Sequence, residues 1–290
     1  MKAFITGASG QLGLALQRLA PSGAEVVALG RSALDISDAD AVERALKGGA
    51  DVLINAAAYT DVEGAERNAA EAFQINSEGA ANLASACAAR GVRLIHVSTD
   101  FVFDGERRAP YRPSDEPHPL NVYGASKLEG EQRVLAILPS ACVVRTSWVH
   151  SADNANFVTK IVQRMRSGAA LRVVIDEIGS PTATLSLASA LWRCADRGIH
   201  GIHHWSDAGI VNRFDYARAI AELALEYGLI AEVPEIAPAY AAEFSGGAKR
   251  PAYSVLALDE TEITLELQAR TWLEGLRLTM QDLTAKERQT

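Results

Sequence analysis

Tyr123 and Lys127 stand four residues apart in the run Tyr123-Gly124-Ala125-Ser126-Lys127. That spacing puts both on one face of a helix. A phenol with an ordinary pKa near 10 exchanges protons poorly at neutral pH, and a lysine ammonium beside it would stabilise the phenolate and lower that pKa. The pair predicts proton transfer to or from a substrate oxygen. Upstream, Val97-Ser98-Thr99-Asp100 closes a short apolar run. A hydroxyl at Thr99 could hydrogen-bond a substrate carbonyl and hold it beside the tyrosine; a Ser/Thr that merely satisfies a strand-end turn is the alternative. A bare Y-x-x-x-K recurs in many helices, so its place matters. Here it opens the helix before the fifth strand, at the carboxyl edge of a parallel sheet, where open α/β proteins bind ligands.

A second constellation lies at the start of the chain. Thr6-Gly7-Ala8-Ser9-Gly10-Gln11-Leu12-Gly13 follows a short apolar strand and opens a helix. Gly7 permits a tight turn, Gly10 lets a pyrophosphate approach the main chain, and Gly13 lets the helix pack on the sheet. The first-turn amides, at Gln11 and Leu12, and the positive end of the helix dipole favour phosphate. The second strand ends Leu29-Gly30-Arg31. An acidic residue in place of Gly30 would take the ribose 2′-hydroxyl of NAD; Arg31 can instead meet the 2′-phosphate of NADPH. NADH stays open, because Arg31 could be a solvated surface side chain. Small residues in Asn55-Ala56-Ala57-Ala58 would let the cofactor lie close to the backbone, and Lys127 can hydrogen-bond the nicotinamide ribose.

The elements that must position these groups are short apolar strands alternating with helices. Strands are expected at 3–5, 26–29, 52–54, 94–97 and 142–144. Helices are expected at 11–20, 65–90 and 122–138. That order means right-handed βαβ crossovers and an α/β fold: a Rossmann-type doubly wound parallel sheet with a smaller C-terminal substrate-binding part. Residues 1–150 form the expected NADP-binding domain, with later segments crossing back, and 151–290 the mainly substrate-binding one. Further helices are expected near 154–167, 184–197, 212–227 and 267–284, with possible strands at 173–175 and 202–204. With 290 residues and net charge −8, the chain is a poor candidate for nucleic acid or an anionic membrane. No apolar run is long enough to span a bilayer. Cys87, Cys142 and Cys194 sit in apolar surroundings without metal-ligand spacing, as expected of buried reduced thiols in a cytoplasmic protein. The six histidines form no ligand set, and His203 and His204 should point to opposite faces of a strand.

The glycine cradle, the strand-end Thr and the Tyr–Lys helix together resemble the extended short-chain dehydrogenase/reductase superfamily. Within it the chain is similar to the dTDP-4-dehydrorhamnose reductase family, through Ser98-Thr99-Asp100-Phe101-Val102-Phe103-Asp104-Gly105, Arg145-Thr146-Ser147-Trp148-Val149, Gly179-Ser180-Pro181-Thr182 and Lys249-Arg250-Pro251. The resemblance implies NADPH-dependent reduction of the 4-keto group of a dTDP-6-deoxyhexulose, giving dTDP-L-rhamnose as a donor for cell-surface polysaccharide. It implies an adenine contact at Asp35-Ile36 and a sugar pocket at Thr60, Val62, Thr99 and Trp148. Some members dimerise through magnesium held by glutamates. Those positions here read Ala15 and Leu185, which carry no oxygen for a hard cation. No magnesium is expected there, and either a monomer or a dimer not held by metal. The rivals are another nucleotide-sugar epimerase or dehydratase, although the glutamate that dehydratases carry after the strand-end Asp is Phe101 here. A non-catalytic subunit like the regulatory one of methionine adenosyltransferase is the rival of another class.

Overall fold

The computed structural model describes residues 1–244 and 246–288. The chain alternates β1 (Lys2–Thr6), α1 (Gln11–Arg18), β2 (Glu25–Leu29), α2 (Ala39–Leu46) and β3 (Val52–Asn55). Then come α3 (Val62–Arg67), α4 (Ala69–Phe73), α5 (Gly79–Arg90), β4 (Arg93–Thr99), α6 (Val122–Ile137) and β5 (Cys142–Thr146). The second half holds β6 (Val149–His150), α7 (Phe157–Arg166), β7 (Leu171–Val174), β8 (Ile178–Gly179), β9 (Thr182–Ala183), α8 (Thr184–Arg197) and β10 (Gly201–His204). It ends with β11 (Val211–Asn212), α9 (Arg213–Glu226), β12 (Ile236–Ala239), α10 (Asp259–Leu265) and α11 (Trp272–Glu287).

Six strands form one sheet in the order β10-β5-β4-β3-β1-β2, and every pairing in it is parallel. Such strands are buried on both faces and read as continuous apolar runs; Val52, Leu53 and Ile54 are fully buried. One face is covered by α1 and α8, through Leu16, Leu187 and Leu191, and the Trp192 indole N–H donates to Leu16 O at 3.0 Å. The other face is covered by α2, α5 and α6, through Val42, Leu83 and Val134. A separate core joins α7, α9 and α11 beyond the carboxyl edge, around Ile161, Ile220 and Leu276. The strand order reverses between β1 and β3, so the crevice for a ligand opens at the carboxyl ends of those two strands.

The expected helix over 65–90 is broken. α3 stops at Asn68, whose φ of −126° leaves the helical region. A single π-helical turn then spans Gln74–Glu78, a widened turn that inserts where a side chain is needed elsewhere. α2 and α10 were not expected. α2 is short, capped by Asp38 accepting from Ala41 N at 3.0 Å, and buries only Val42 and Leu46, too few apolar positions to show a period. His203 and His204 do diverge: His204 is buried against the Tyr111 carbonyl at 3.0 Å, and the His203 ring lies at the surface on His200 O.

Candidate active site

A cavity of about 710 Å3 runs along the carboxyl edge of the sheet. At one end stand Gly7, Gly10, Gln11 and Leu12, with Arg31, Asp35 and Ile36 beyond; Ala56, Ala57 and Ala58 form a wall. Thr99, Tyr123 and Lys127 line the middle, and Thr60, Val62 and Trp148 line the other end. Of the sequence-predicted residues only Gly13 lies outside the lining, and geometry explains why. A Cβ on Gly13 would fall 2.3 Å from Gly7 O, so its bare Cα is what seats α1 under the turn.

The cradle suits a dinucleotide. Gly7 has φ +64° and its α-carbon presses on the main chain of Ala56. Gly10 is the N-cap of α1 and the helix has no side-chain cap, so its first amides remain available to a phosphate. A Cβ on Gly10 would meet only Gly7 O, at 3.2 Å. Arg31 is 75% exposed and reaches Glu71 at 3.6 Å, a loose surface pairing that a phosphate could displace. One Asp35 oxygen accepts from the amide (2.9 Å) and hydroxyl (2.7 Å) of Ser37. Those bonds hold the carboxyl below its usual pKa and leave its second oxygen for a ligand.

α6 carries the candidate catalytic pair and is set by three contacts. Asn121 caps it, accepting from Gly124 N at 2.8 Å while donating to Lys249 O at 2.7 Å. Gly124 lets the helix approach the segment after Thr99: a Cβ there would stand 2.1 Å from Phe101 O. Asn76, on the π-helical turn, grips both sides of the site. It accepts from Tyr59 N at 2.8 Å, donates to Tyr59 O at 3.0 Å and donates to the Ser126 hydroxyl at 3.0 Å. The wall that begins at Ala56 is thereby tied to the helix of Tyr123 and Lys127.

The electrostatics depart from the sequence expectation. Burial pushes the Tyr123 phenol up to about 12, with Thr99 opposing and the Asp100 charge adding to the rise. Lys127 bonds to the neighbouring strand. Its Nζ donates to Val97 O at 2.7 Å, and burial brings its own pKa down to about 8 against the pull of Glu131. Spacing placed the two groups on one face, but burial is the largest influence on each. Glu131, one turn beyond, is locked by a buried two-pronged pairing with Arg145, at 3.0 Å from Nε and 2.7 Å from Nη2.

Among the cavity residues that the sequence reading did not assign to the site are Asp100, His150, Tyr216 and Arg213. Asp100 is 2% exposed. Its Oδ1 accepts from Thr99 at 3.1 Å. Burial pushes it up to about 6. Its signal was its place directly after the strand-end threonine. Phe101 lines the cavity as well, and the run that follows is scaffolding: Phe103 stacks on Tyr111 at 4.2 Å, and the Tyr111 hydroxyl donates to Asp104 at 2.6 Å.

A doubly wound sheet with a glycine turn at its switch point, and a Thr, Tyr and Lys at the carboxyl edge, defines an extended short-chain dehydrogenase/reductase. The comparisons with known proteins narrow that class. Residues 1–285 match the family model described as RmlD substrate binding domain. A dTDP-4-dehydrorhamnose reductase of Mycobacterium tuberculosis is 44% identical over 279 residues, 94% of this chain and 90% of that one. The crystal structure of a dTDP-4-dehydrorhamnose reductase from Clostridium acetobutylicum superposes with a TM-score of 0.92 at 35% identity, covering 98% of this chain and 99% of that one. A Bacillus anthracis dTDP-4-dehydrorhamnose reductase in complex with NADP gives 0.91 at 33% identity, covering 97% and 99%. The chain belongs to the dTDP-4-dehydrorhamnose reductase family. Among the described residues no helix is long and apolar enough to cross a membrane.

Proposed function

We propose that this protein reduces the 4-keto group of dTDP-4-dehydro-6-deoxy-L-mannose to give dTDP-L-rhamnose, using NADPH. The observation that carries the reading is one continuous cavity holding the glycine cradle at one end and Thr99, Tyr123 and Lys127 at its middle. When bound, NADPH supplies the hydride that adds to the sugar carbonyl carbon. Gly7, Gly10 and the amides of Gln11 and Leu12 would hold its pyrophosphate, with Gly13 seating the helix. Arg31 would hold the 2′-phosphate, Asp35 and Ile36 the adenine, and Ala56, Ala57 and Ala58 the flat of the dinucleotide. Tyr123 and Lys127 hold the nicotinamide ribose.

Tyr123 donates its proton to the carbonyl oxygen as that oxygen gains charge, which is general acid catalysis. A phenol with a pKa near 12 is fully protonated at neutral pH, as a donor must be. Thr99 orients the carbonyl, and Lys127 holds the ribose and steadies the tyrosinate left behind. Thr60, Val62 and Trp148 bound the sugar. Residues 1–150, with α8 and β10 crossing back to them, are the NADP-binding part, and 151–290 are the mainly substrate-binding part. Arg31 and the lack of an acid at Gly30 favour NADPH over NADH.

The enzyme works in the cytoplasm, as a monomer or as a dimer without a bridging magnesium. Ala15 and Leu185 line one small surface pocket. The two carboxylates there, Asp153 and Asp282, are engaged by Lys286 and Arg18. Light scattering with and without EDTA tests this, and a metal-dependent dimer would contradict it. Absorbance at the nicotinamide band tests the activity. Oxidation of NADPH should begin on addition of the dTDP-keto-sugar and be slower with NADH; no oxidation with fresh keto-sugar would sink the reading.

A further inference from the structure

Trp148 is held in a costly conformation. Its φ is +44°, in the left-handed region that bulky residues avoid, and such strain persists only where surrounding contacts over-determine it. Two of those contacts are set by a two-stranded ribbon, in which β8 pairs antiparallel with β11 and Val211 stands opposite Gly179; Tyr216 of α9 adds a third, its ring centroid 6.3 Å from that of the indole. Gly179 presents its bare α-carbon to the indole: a Cβ there would lie 2.6 Å from Cε2 and 2.9 Å from Nε1. Arg213, just past β11, lays its guanidinium over the same indole, 3.4 Å from the ring centroid. It also sits 4.9 Å from the centroid of Phe157.

Two roles are open to a buried guanidinium on a cavity wall: gripping an anion, or holding a neighbour. The charges around it decide. Glu177 lies 3.5 Å from its Nε, and the two side chains are 11% and 12% exposed. Asp100, which lines the same cavity, attracts it, and Arg250, itself paired with Glu63 at 3.1 Å, repels it. Three carboxylates, Glu177, Asp100 and Glu63, against two guanidiniums leave no local excess of positive charge for an anion. They do anchor the guanidinium over the ring, where a desolvated cation–π contact is strongest.

We propose that Arg213 is a positioning residue that fixes the plane of the Trp148 indole and so sets the shape of the sugar end of the cavity. This rests on the reading of Trp148 as a wall of the keto-sugar pocket. The planar guanidinium matters as well as the charge, because lysine cannot stack in the same way.

The test is steady-state kinetics on the full-length enzyme with NADPH and the dTDP-keto-sugar, together with acrylamide quenching of the Trp148 emission, taken as the difference from Trp148→Phe. Arg213→Met should raise KM for the keto-sugar about tenfold, lower kcat less, leave the NADPH dissociation constant unchanged and increase the quenching. Arg213→Lys should recover part of the loss. In a Trp148→Ala background Arg213→Met should add little, because contacting residues are non-additive. Glu177→Gln loosens the arginine without touching the indole. It should give a smaller rise in KM, also absent in the Trp148→Ala background, and it serves if Arg213→Met does not fold. Effects of Trp148→Ala and Arg213→Met that multiply in the double variant overturn the inference and leave the pocket reading standing. A Trp148→Ala enzyme with unchanged KM overturns both.

Discussion

Lys127 donates its ammonium to the main-chain carbonyl of Val97 at 2.7 Å, so the strand that ends in Thr99 directly holds the cation of the candidate active site. With its pKa brought down to about 8 by burial, Lys127 is charged at neutral pH and loses its proton just above. Tyr123 does not titrate there. The reductive kcat/KM should therefore fall as pH rises through about 8, because the ammonium that steadies the nascent tyrosinate disappears. Lys127→Met should give a slow enzyme without that alkaline limb. A limb that survives in the variant would assign it to another group.

Tyr123→Phe removes the proton donor and keeps the ring that meets Phe101 edge-on at 5.8 Å. Turnover should fall at least about a hundredfold, the usual worth of a positioned general acid, with NADPH binding retained. Stopped-flow transfer from bound NADPH measures the step directly. Unchanged turnover would remove the phenol from the mechanism.

Arg31 sits at the far end of the same cavity. Arg31→Ala should raise KM for NADPH about tenfold, as the loss of a charge-assisted hydrogen bond does, and leave KM for NADH unchanged. Equal effects on both cofactors would place the 2′-phosphate elsewhere.

What was legible in the sequence was local. The glycine turn, the strand-end threonine and the Tyr–Lys spacing each lie within eight consecutive residues, and each landed on the cavity. The unread parts depend on distant partners. Asn76 acts on Tyr59, 17 residues away, and on Ser126, 50 away, and to serve them the expected long helix gives way to a π-helical turn. Arg213 meets Trp148 only through a two-residue strand pairing that no periodicity announces. Desolvation was also hidden. Spacing put Lys127 beside Tyr123, but burial in this fold moves both groups opposite to the simple pairwise expectation.

His150 and His204 are 1% and 0% exposed, and burial brings each down to about 3. Unfolded histidine titrates near 6.5, so between about pH 6.5 and 3 the unfolded chain binds protons that the folded one refuses. Their contribution to stability should fall as pH drops through that window, by about 2 kcal/mol for each of the two at pH 5, while Asp100 and Asp207, raised by burial to about 6 and about 7, work in the opposite sense. Urea unfolding at pH 7.5 and 5, with the His150→Gln and His204→Gln variants for comparison, measures it, and a loss no larger in the parent than in the variants would mean that the folded rings take up protons.

Arg145, at the second-to-last position of β5, reaches back to Glu131 with both side chains 2% exposed. Glu131→Ala should destabilise the protein by about 3–5 kcal/mol, because it leaves an uncompensated buried guanidinium. Thermal melting checks this, and a melting temperature near that of the parent would show that Arg145 finds another acceptor.

The return of the chain through α8 and β10 has a consequence for engineering. The strand that edges the nucleotide-side sheet, Gly201–His204, pairs with Cys142–Thr146 and is written some fifty residues after the sugar-side lobe has begun. A gene cut at codon 150 would deprive the first fragment of a border strand and of the helix bearing Trp192, and would hand both to a partner with nowhere to bury them. Neither piece is a self-sufficient module, and grafting one cofactor half onto another specificity half calls for exchanging interleaved segments rather than splicing at a single joint.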